Sequence, residues 1–251
     1  MEPFKTYRGK IALLDRANVD TDQIIPKQFL KSIKRTGFGE SLFFDRRYTT
    51  DGKLDPKFSL NEPRFKGATI LVARNNFGCG SSREHAVWAV QQYGFRAVIA
   101  PGKGEGHAKI PAFADIFRSN ASKNGLLTVE LAEAEVEKIF QYANRFPGLE
   151  AEVNLEHQRV TLLLGSLRDN SLDAVVARRA KSPDEAISEI ASASHGTMPR
   201  NDTLSVSFHF EIDPAVKHRM FHGLDDIGLT LEHQSAITAF EKTHDPELPR
   251  K

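Results

Sequence analysis

The stretch from Ala68 to Pro101 limits the fold more tightly than any other part of this 251-residue chain. Ala68-Thr-Ile-Leu-Val-Ala73 is a near-continuous apolar run of strand length, the pattern of a strand covered on both faces. The turn formers Asn75, Asn76, Gly78 and Gly80 follow it. From Ser81 the pattern becomes helical, with Ala86, Val87, Ala89, Val90 and Tyr93 recurring at three-to-four spacing as far as Gly94. Ala97-Val-Ile-Ala100-Pro101 then supplies a second buried strand. Strand, turn, helix and strand make a βαβ unit, whose crossover is right-handed, so the chain belongs to the α/β class.

The rest of the sequence extends this frame. Ile11-Ala-Leu-Leu14 reads as a short buried strand, followed by the polar loop Asp15-Arg-Ala-Asn-Val-Asp-Thr-Asp22, rich in residues that bond their own backbone. Residues 27–62 lack clear periodicity and are expected to be irregular, with one short helix near 28–33. A second helix is expected at 113–120, a strand at 126–129 and a third helix at 132–143. Residues 150–164 alternate as a β-hairpin, and residues 205–212 alternate as a further half-buried strand. Residues 225–241 read as a closing helix with Leu229, Ile237 and Phe240 turned inward. Two segments look inserted, 102–111 and 165–204. The second carries a helix signal of its own, with Ser182 as cap, Pro183 at the first position and Glu185 completing a capping box.

Composition then removes several functions. Thirty-four Lys plus Arg against 33 Asp plus Glu leave a net charge of +1, so no global field exists to gather nucleic acid or an anionic membrane. Apolar runs are strand-sized, too short for a signal peptide or a membrane span, which leads us to expect a cytoplasmic protein. Cys79 is the single cysteine, so neither an intramolecular disulfide nor a site built on several thiolates can form here. The histidines His195, His209, His218 and His222 lack metal-ligand spacing, and no metal is assigned to the chain. Gly102-Lys-Gly-Glu-Gly106 has neither the Lys-Ser/Thr ending of a P-loop nor dinucleotide spacing.

Asn75-Asn-Phe-Gly-Cys-Gly-Ser-Ser-Arg-Glu-His85 lies where a buried strand ends and a helix begins, the place where open α/β sheets present ligands. Unpaired N–H groups and the positive end of the helix dipole favour an anion there. Gly78 and Gly80 permit close approach of backbone, Ser81 and Ser82 add hydroxyls, and Arg83 adds a planar fork suited to a carboxylate. The segment thus describes a cradle for carboxylate or phosphate. A plainer alternative stays open, in which Ser81 only caps the helix and Glu84 completes the box. His85 could be catalytic or a helix-end hydrogen-bond group, and Cys79 a reactive thiol or a small packed residue.

Phe77-Gly-Cys-Gly-Ser-Ser-Arg-Glu-His-Ala86 resembles the signature of the aconitase swivelling domain, in the form carried by isopropylmalate isomerase small subunits. Three further stretches resemble that family in the same order: Asn18-Val-Asp-Thr-Asp-Gln-Ile-Ile-Pro26 with Lys27-Gln-Phe-Leu-Lys31 and Thr36-Gly-Phe-Gly39, then Phe113-Ala-Asp-Ile-Phe117, then His222-Gly-Leu-Asp-Asp-Ile-Gly-Leu-Thr-Leu231. The resemblance covers residues 1–164 and 205–241. It implies a three-layer β/β/α swivelling domain of aconitase type with two insertions, one domain over residues 1–251. It also implies a separate large subunit that carries a 4Fe–4S cluster, with no cofactor in this chain. The reaction implied is dehydration and rehydration through 2-isopropylmaleate, interconverting 2- and 3-isopropylmalate in leucine biosynthesis.

By the same resemblance Ser81 is the base for the carbon-bound proton, and Ser82 and Arg83 hold a carboxylate of a small dicarboxylate substrate. Asp20, Thr21 and Asp22 form a second wall, or alternatively a self-bonded turn. Lys31, Lys34 and Arg35 lie in the segment that resembles the substrate-selecting loop, with Arg35 the second carboxylate contact; a solvated basic face is the alternative. The insertions at 102–111 and 165–204 depart from the family pattern; the first, a longer loop near the site, bears on access and substrate range, and the second reads as a surface excursion or, alternatively, a new binding segment. Because the motif grips what related dicarboxylates share, a homoaconitase or citraconate/2-methylmalate type of small subunit remains as an alternative, as does a non-catalytic module retaining the fold.

Overall fold

The computed structural model describes residues 1–31, 35–81, 83–104, 106, 109–165 and 204–244. Strand β1 (Thr6–Leu14) organises the chain because its two halves have different partners. Its polar first half pairs antiparallel with β5 (Glu150–Asn154), from Thr6 against Asn154 to Lys10 against Glu150. Its apolar second half pairs parallel with β2 (Ile70–Ala73), from Ile11 against Ile70 to Leu14 against Ala73. The strand therefore starts at Thr6, earlier than its apolar residues alone indicate; burial runs from mixed to complete along it.

Beyond β2 lie β3 (Ala97–Pro101) and β4 (Leu127–Leu131), both parallel. Beyond β5 lie β6 (Arg159–Gly165) and β7 (Leu204–His209), both antiparallel. The seven strands follow the order β4-β3-β2-β1-β5-β6-β7 and curl into the two β regions of the expected β/β/α arrangement. All residues of β2 and β3 are buried, as their unbroken apolar runs require. β7 stops at His209 rather than 212: the Phe210 N–H still donates to the Gln158 carbonyl, at 2.9 Å, but the Phe210 carbonyl accepts from the Gln158 side chain, at 3.0 Å, where Gln158 turns to φ 52°.

Two minimal helices, α1 (Thr21–Ile24) and α2 (Phe44–Arg47), flank the first loop. The helix expected near 28–33 is a 3-10 turn, Lys27–Lys31, closed by the Phe29 N–H on the Pro26 carbonyl. Helix α3 (Glu84–Tyr93) buries Ala86, Val87, Ala89 and Val90 and ends at Gly94 with φ 122°. Helix α4 (Asp115–Asn124) begins after Phe113, because that residue pairs with Phe77 as an isolated bridge. Helix α5 (Glu133–Arg145) buries Val136, Ile139 and Phe140 against the parallel strands. Arg74, just past β2, donates to Asp15 and Glu137, both at 2.6 Å, and so ties the ends of β1 and β2 to α5.

The C-terminal part departs from expectation. Helix α6 (Pro214–His222) is not evident from periodicity; Asp213 caps it by accepting from the Ala215 and Val216 N–H groups. The single helix expected over 225–241 is two, α7 (Asp226–Leu231) and α8 (Gln234–His244). Leu229 is half-buried, but Ile237 and Phe240 are 37% and 61% exposed instead of inward. Apolar spacing marks a face to be covered without saying which chain covers it.

In the first insertion Lys103 and Ile110 pair antiparallel, so the segment doubles back on itself. Lys109 reaches Glu130 of β4 at 2.7 Å, and Arg118 reaches the same carboxylate at 2.8 Å. Burial pushes the Glu130 carboxyl up, and the hydrogen bonds from these two cations outweigh it, holding it below the usual carboxylate range. The helix signal at Ser182, Pro183 and Glu185 lies outside the described residues.

Candidate functional site

The loop between β2 and α3 is stitched on both sides. Toward the first loop, the Gly78 and Cys79 N–H groups donate to the Val19 carbonyl at 2.7 and 3.2 Å, and the Thr21 N–H donates to the Cys79 carbonyl at 3.0 Å. Toward α4, the Phe77 N–H donates to the Ala112 carbonyl at 2.9 Å and the Ala114 N–H to the Phe77 carbonyl at 3.1 Å. Phe77, Phe113 and Phe117 form the floor, with Phe77 and Phe117 centroids 5.3 Å apart. The Phe113–Phe117 stretch noticed in the sequence thus serves to support the loop.

Gly78 takes φ 77°, and a Cβ placed on it would lie 2.3 Å from Phe117 Cγ. Its smallness makes room for the protein's own floor. Gly80, at φ 83°, faces Asp20 instead, with a Cβ there 3.4 Å from that of Asp20.

The helix starts at Glu84, three residues later than the sequence pattern suggests. Arg83 occupies the N-cap in an extended conformation and makes no side-chain cap bond. Ser81 is exposed and lies outside the helix, and Glu84 accepts from Asn124 Nδ2 at 3.0 Å. The reading of Ser81 as a cap completed by Glu84 is therefore corrected. The Glu84 and His85 N–H groups have no helical acceptor by geometry, the arrangement that favours an anion at a helix start.

Arg83 Nη1 donates to Asp22 Oδ1 at 3.0 Å, and Lys27 Nζ lies 3.4 Å from Asp22 Oδ2. Asp22 thus steadies two cations, a role its place in an acidic turn does not reveal. Asp20 turns away to cap α1, accepting from the Gln23 N–H at 2.7 Å. Thr21 is buried, and its Oγ1 has no hydrogen-bond partner in the structure. That hydroxyl sits beside Gly80, 3.9 Å from where a Cβ would be.

Arg35 lies over Trp88, its guanidinium carbon 5.7 Å from the ring centroid. Its segment is fastened along α3 by Gln92, which donates to the Arg35 carbonyl at 2.7 Å and accepts from the Phe38 N–H at 2.9 Å. Trp88 is one turn beyond Glu84, so Arg35 and Arg83 both belong to the entrance half of α3. His85 packs between Phe38 and Trp88, at centroid distances of 5.4 and 4.8 Å, which gives it a packing role. Lys31 is exposed at the end of its turn; Lys34 and Ser82 lie outside the described residues.

Electrostatics distinguish the candidates. Burial and the Asp20 carboxylate push the Cys79 thiol up, away from a thiolate at neutral pH. Burial and repulsion from Arg16 lower Arg46, with Asp20 opposing, so a second group of cations gathers beside the first loop. No motif in the sequence singles out Arg16 or Arg46; only the fold brings them together. Among the described residues no three His, Cys, Asp or Glu side chains converge as metal ligands. One thiol cannot hold the 4Fe–4S cluster that the aconitase resemblance implies, so this donor set does not fit that group. No helix among the described residues is long and apolar enough to cross a membrane.

Comparison with known proteins identifies the family. The aconitase C-terminal domain matches residues 1–134, and the C-terminal domain of the 3-isopropylmalate dehydratase small subunit matches residues 226–250. The chain is 48% identical over 241 residues to the 3-isopropylmalate dehydratase small subunit of Desulforapulum autotrophicum, spanning 96% of this chain and 95% of that one. It is 44% identical over 250 residues to the small subunit of Methylibium petroleiphilum, spanning 96% and 93%. A crystal structure of 3-isopropylmalate dehydratase from Methanocaldococcus jannaschii shares the fold at a TM-score of 0.52, over 94% of this chain and 99% of that one, with 19% identity. With identity of this extent along nearly its whole length, the chain belongs to the family of 3-isopropylmalate dehydratase small subunits.

Proposed function

We propose that the α3 entrance is this chain's half of a hydro-lyase active site, which interconverts 2- and 3-isopropylmalate through 2-isopropylmaleate in leucine biosynthesis. The observation that carries the reading is a helix start without a side-chain cap at its N-cap residue, with Arg83 held beside it by Asp22. A dicarboxylate needs more than one cation, and Arg35 over Trp88 supplies the second. Ser82 and the unpartnered Thr21 hydroxyl add hydrogen bonds to the same carboxylates.

Ser81 is the base that takes the carbon-bound proton. A serine hydroxyl is a poor base in water, so its alkoxide must be stabilised by the helix N-terminus and by Arg83. Cys79, two residues before Ser81, is pushed away from the thiolate by burial and by Asp20, which speaks against it as the base. The partner is a large subunit, to which the 4Fe–4S cluster belongs, and the chain functions in the cytoplasm as one domain.

The test is hydration by the purified pair of large and small subunits. The pair hydrates 2-isopropylmaleate with a kcat/KM at least about tenfold above that for homoaconitate or citraconate, because one to two apolar contacts are worth that much discrimination. Activity on homoaconitate with none on 2-isopropylmaleate overturns the substrate assignment.

A further inference from the structure

Three side chains on one stripe of α3 converge on a single residue of α4. Glu84, Trp88 and Gln91 follow one another at helical spacing and so lie on the same face. Asn124, the last residue of α4, meets all three. Its Oδ1 accepts from Trp88 Nε1 at 3.0 Å, its Nδ2 donates to Glu84 Oε1 at 3.0 Å, and its carbonyl accepts from Gln91 Nε2. The other Nδ2 hydrogen goes to the Asn120 carbonyl at 2.9 Å. An indole N–H can only donate and a carbonyl can only accept, so these two partners fix which way the amide faces. Gly125 ends α4 immediately afterwards at φ 82°, its N–H on the Ala121 carbonyl, and Asn124 therefore stands at a closed helix end.

From this residue the contacts run on to the substrate side. The half-buried Trp88 ring packs against His85 and Phe38, at centroid distances of 4.8 and 5.8 Å, and carries the Arg35 guanidinium at 5.7 Å. The hydrogen bond at its edge sets the angle of the indole, and with it the plane over which Arg35 lies. A guanidinium kept on a fixed plane loses less freedom when it meets a carboxylate. In the sequence Asn124-Gly125 signals only the end of a helix; its second role arises once α4 lies beside α3.

We infer that Asn124 is a positioning residue for substrate binding, holding the Trp88 ring in the orientation that presents Arg35 to a substrate carboxylate. The inference rests on the proposed role of Arg35.

The experiment is a double-mutant cycle on the assembled pair of subunits, with wild type, Asn124→Ala, Arg35→Ala and the double variant. Kinetics are measured on whichever of 2-isopropylmaleate, homoaconitate and citraconate the wild-type pair hydrates fastest, so that a wrong substrate does not enter the result. Asn124→Ala raises KM about threefold to tenfold, the size of one hydrogen bond or cation–π contact, and leaves kcat within about twofold because Ser81 is untouched. In the Arg35→Ala background the same substitution raises KM by less than about twofold, since its effect passes through Arg35. Asn124→Ala also loosens α4 from α3, so Trp88→Phe, which removes the indole N–H and keeps an aromatic ring, is the second variant and reproduces the rise in KM. Unchanged KM in both Asn124→Ala and Trp88→Phe, with a raised KM in Arg35→Ala, overturns the inference alone. A rise from Asn124→Ala that is equally large with and without Arg35 also overturns it, because Asn124 then acts elsewhere. Unchanged KM in Arg35→Ala overturns the inference together with the role given to Arg35.

Discussion

Ser81→Ala lowers turnover of the assembled enzyme by about 10³-fold, within the range of 10²–10⁴ contributed by a positioned general base. KM moves by no more than a few-fold, since Arg83 and Arg35 remain to hold the carboxylates. Stability and assembly are unchanged, because Ser81 is exposed and lies outside α3. Steady-state kinetics on the purified pair, with a melting curve for each small subunit, separates these effects. Turnover within fivefold of wild type rules Ser81 out as the base.

Gly78→Ala has the largest expected effect on stability, a loss of about 2–5 kcal/mol. Two costs combine. An L-residue in the left-handed region costs roughly 1–2 kcal/mol, and overpacking a filled core costs typically 1–3 kcal/mol. The new Cβ would lie 2.3 Å from Phe117 Cγ, under a loop bonded on both sides that cannot move aside. Gly80→Ala makes the informative comparison. It has a similar φ but only the Asp20 Cβ at 3.4 Å, so it costs about 1–2 kcal/mol, from the backbone alone. Thermal unfolding of the two variants measures the difference, and equal losses would contradict the role given to Phe117.

These two predictions also mark how far the sequence reaches. The βαβ unit around residues 68–101 is legible because β2 and β3 are buried on both faces, and burial of that kind leaves no polar residue to blur the run. The 150–164 hairpin is legible through its period of two. The first half of β1 is not, since Thr6, Arg8 and Lys10 serve a strand partly open to solvent and pair with residues 140 or more positions away, such as Glu150 and Glu152. The site divides in the same way. Ser81, Ser82 and Arg83 stand together in sequence at a glycine-rich helix entrance, so their chemistry can be read locally. The hold of Asp22 on Arg83, the stacking of Arg35 on Trp88 and the gathering of Arg16 and Arg46 near Asp20 arise only from folding. Gly78 shows the limit most clearly: its residue type signals a close approach, but the approaching group is Phe117.

The C-terminal helices carry a related lesson. Leu229, Ile237 and Phe240 have the spacing of an inward face, and spacing alone cannot tell a core from an interface. The exposure of Ile237 and Phe240 takes both out of this chain's own core.

The central claim is that substrate binds at the α3 entrance of this chain. It is tested most directly by the backbone amide resonances of Glu84 and His85 in the isotope-labelled small subunit, assembled with its large subunit and titrated with 2-isopropylmalate. Saturable shifts at both amides, abolished by Arg83→Ala, are the predicted result. Amides that stay unmoved while the same sample converts the substrate would contradict it.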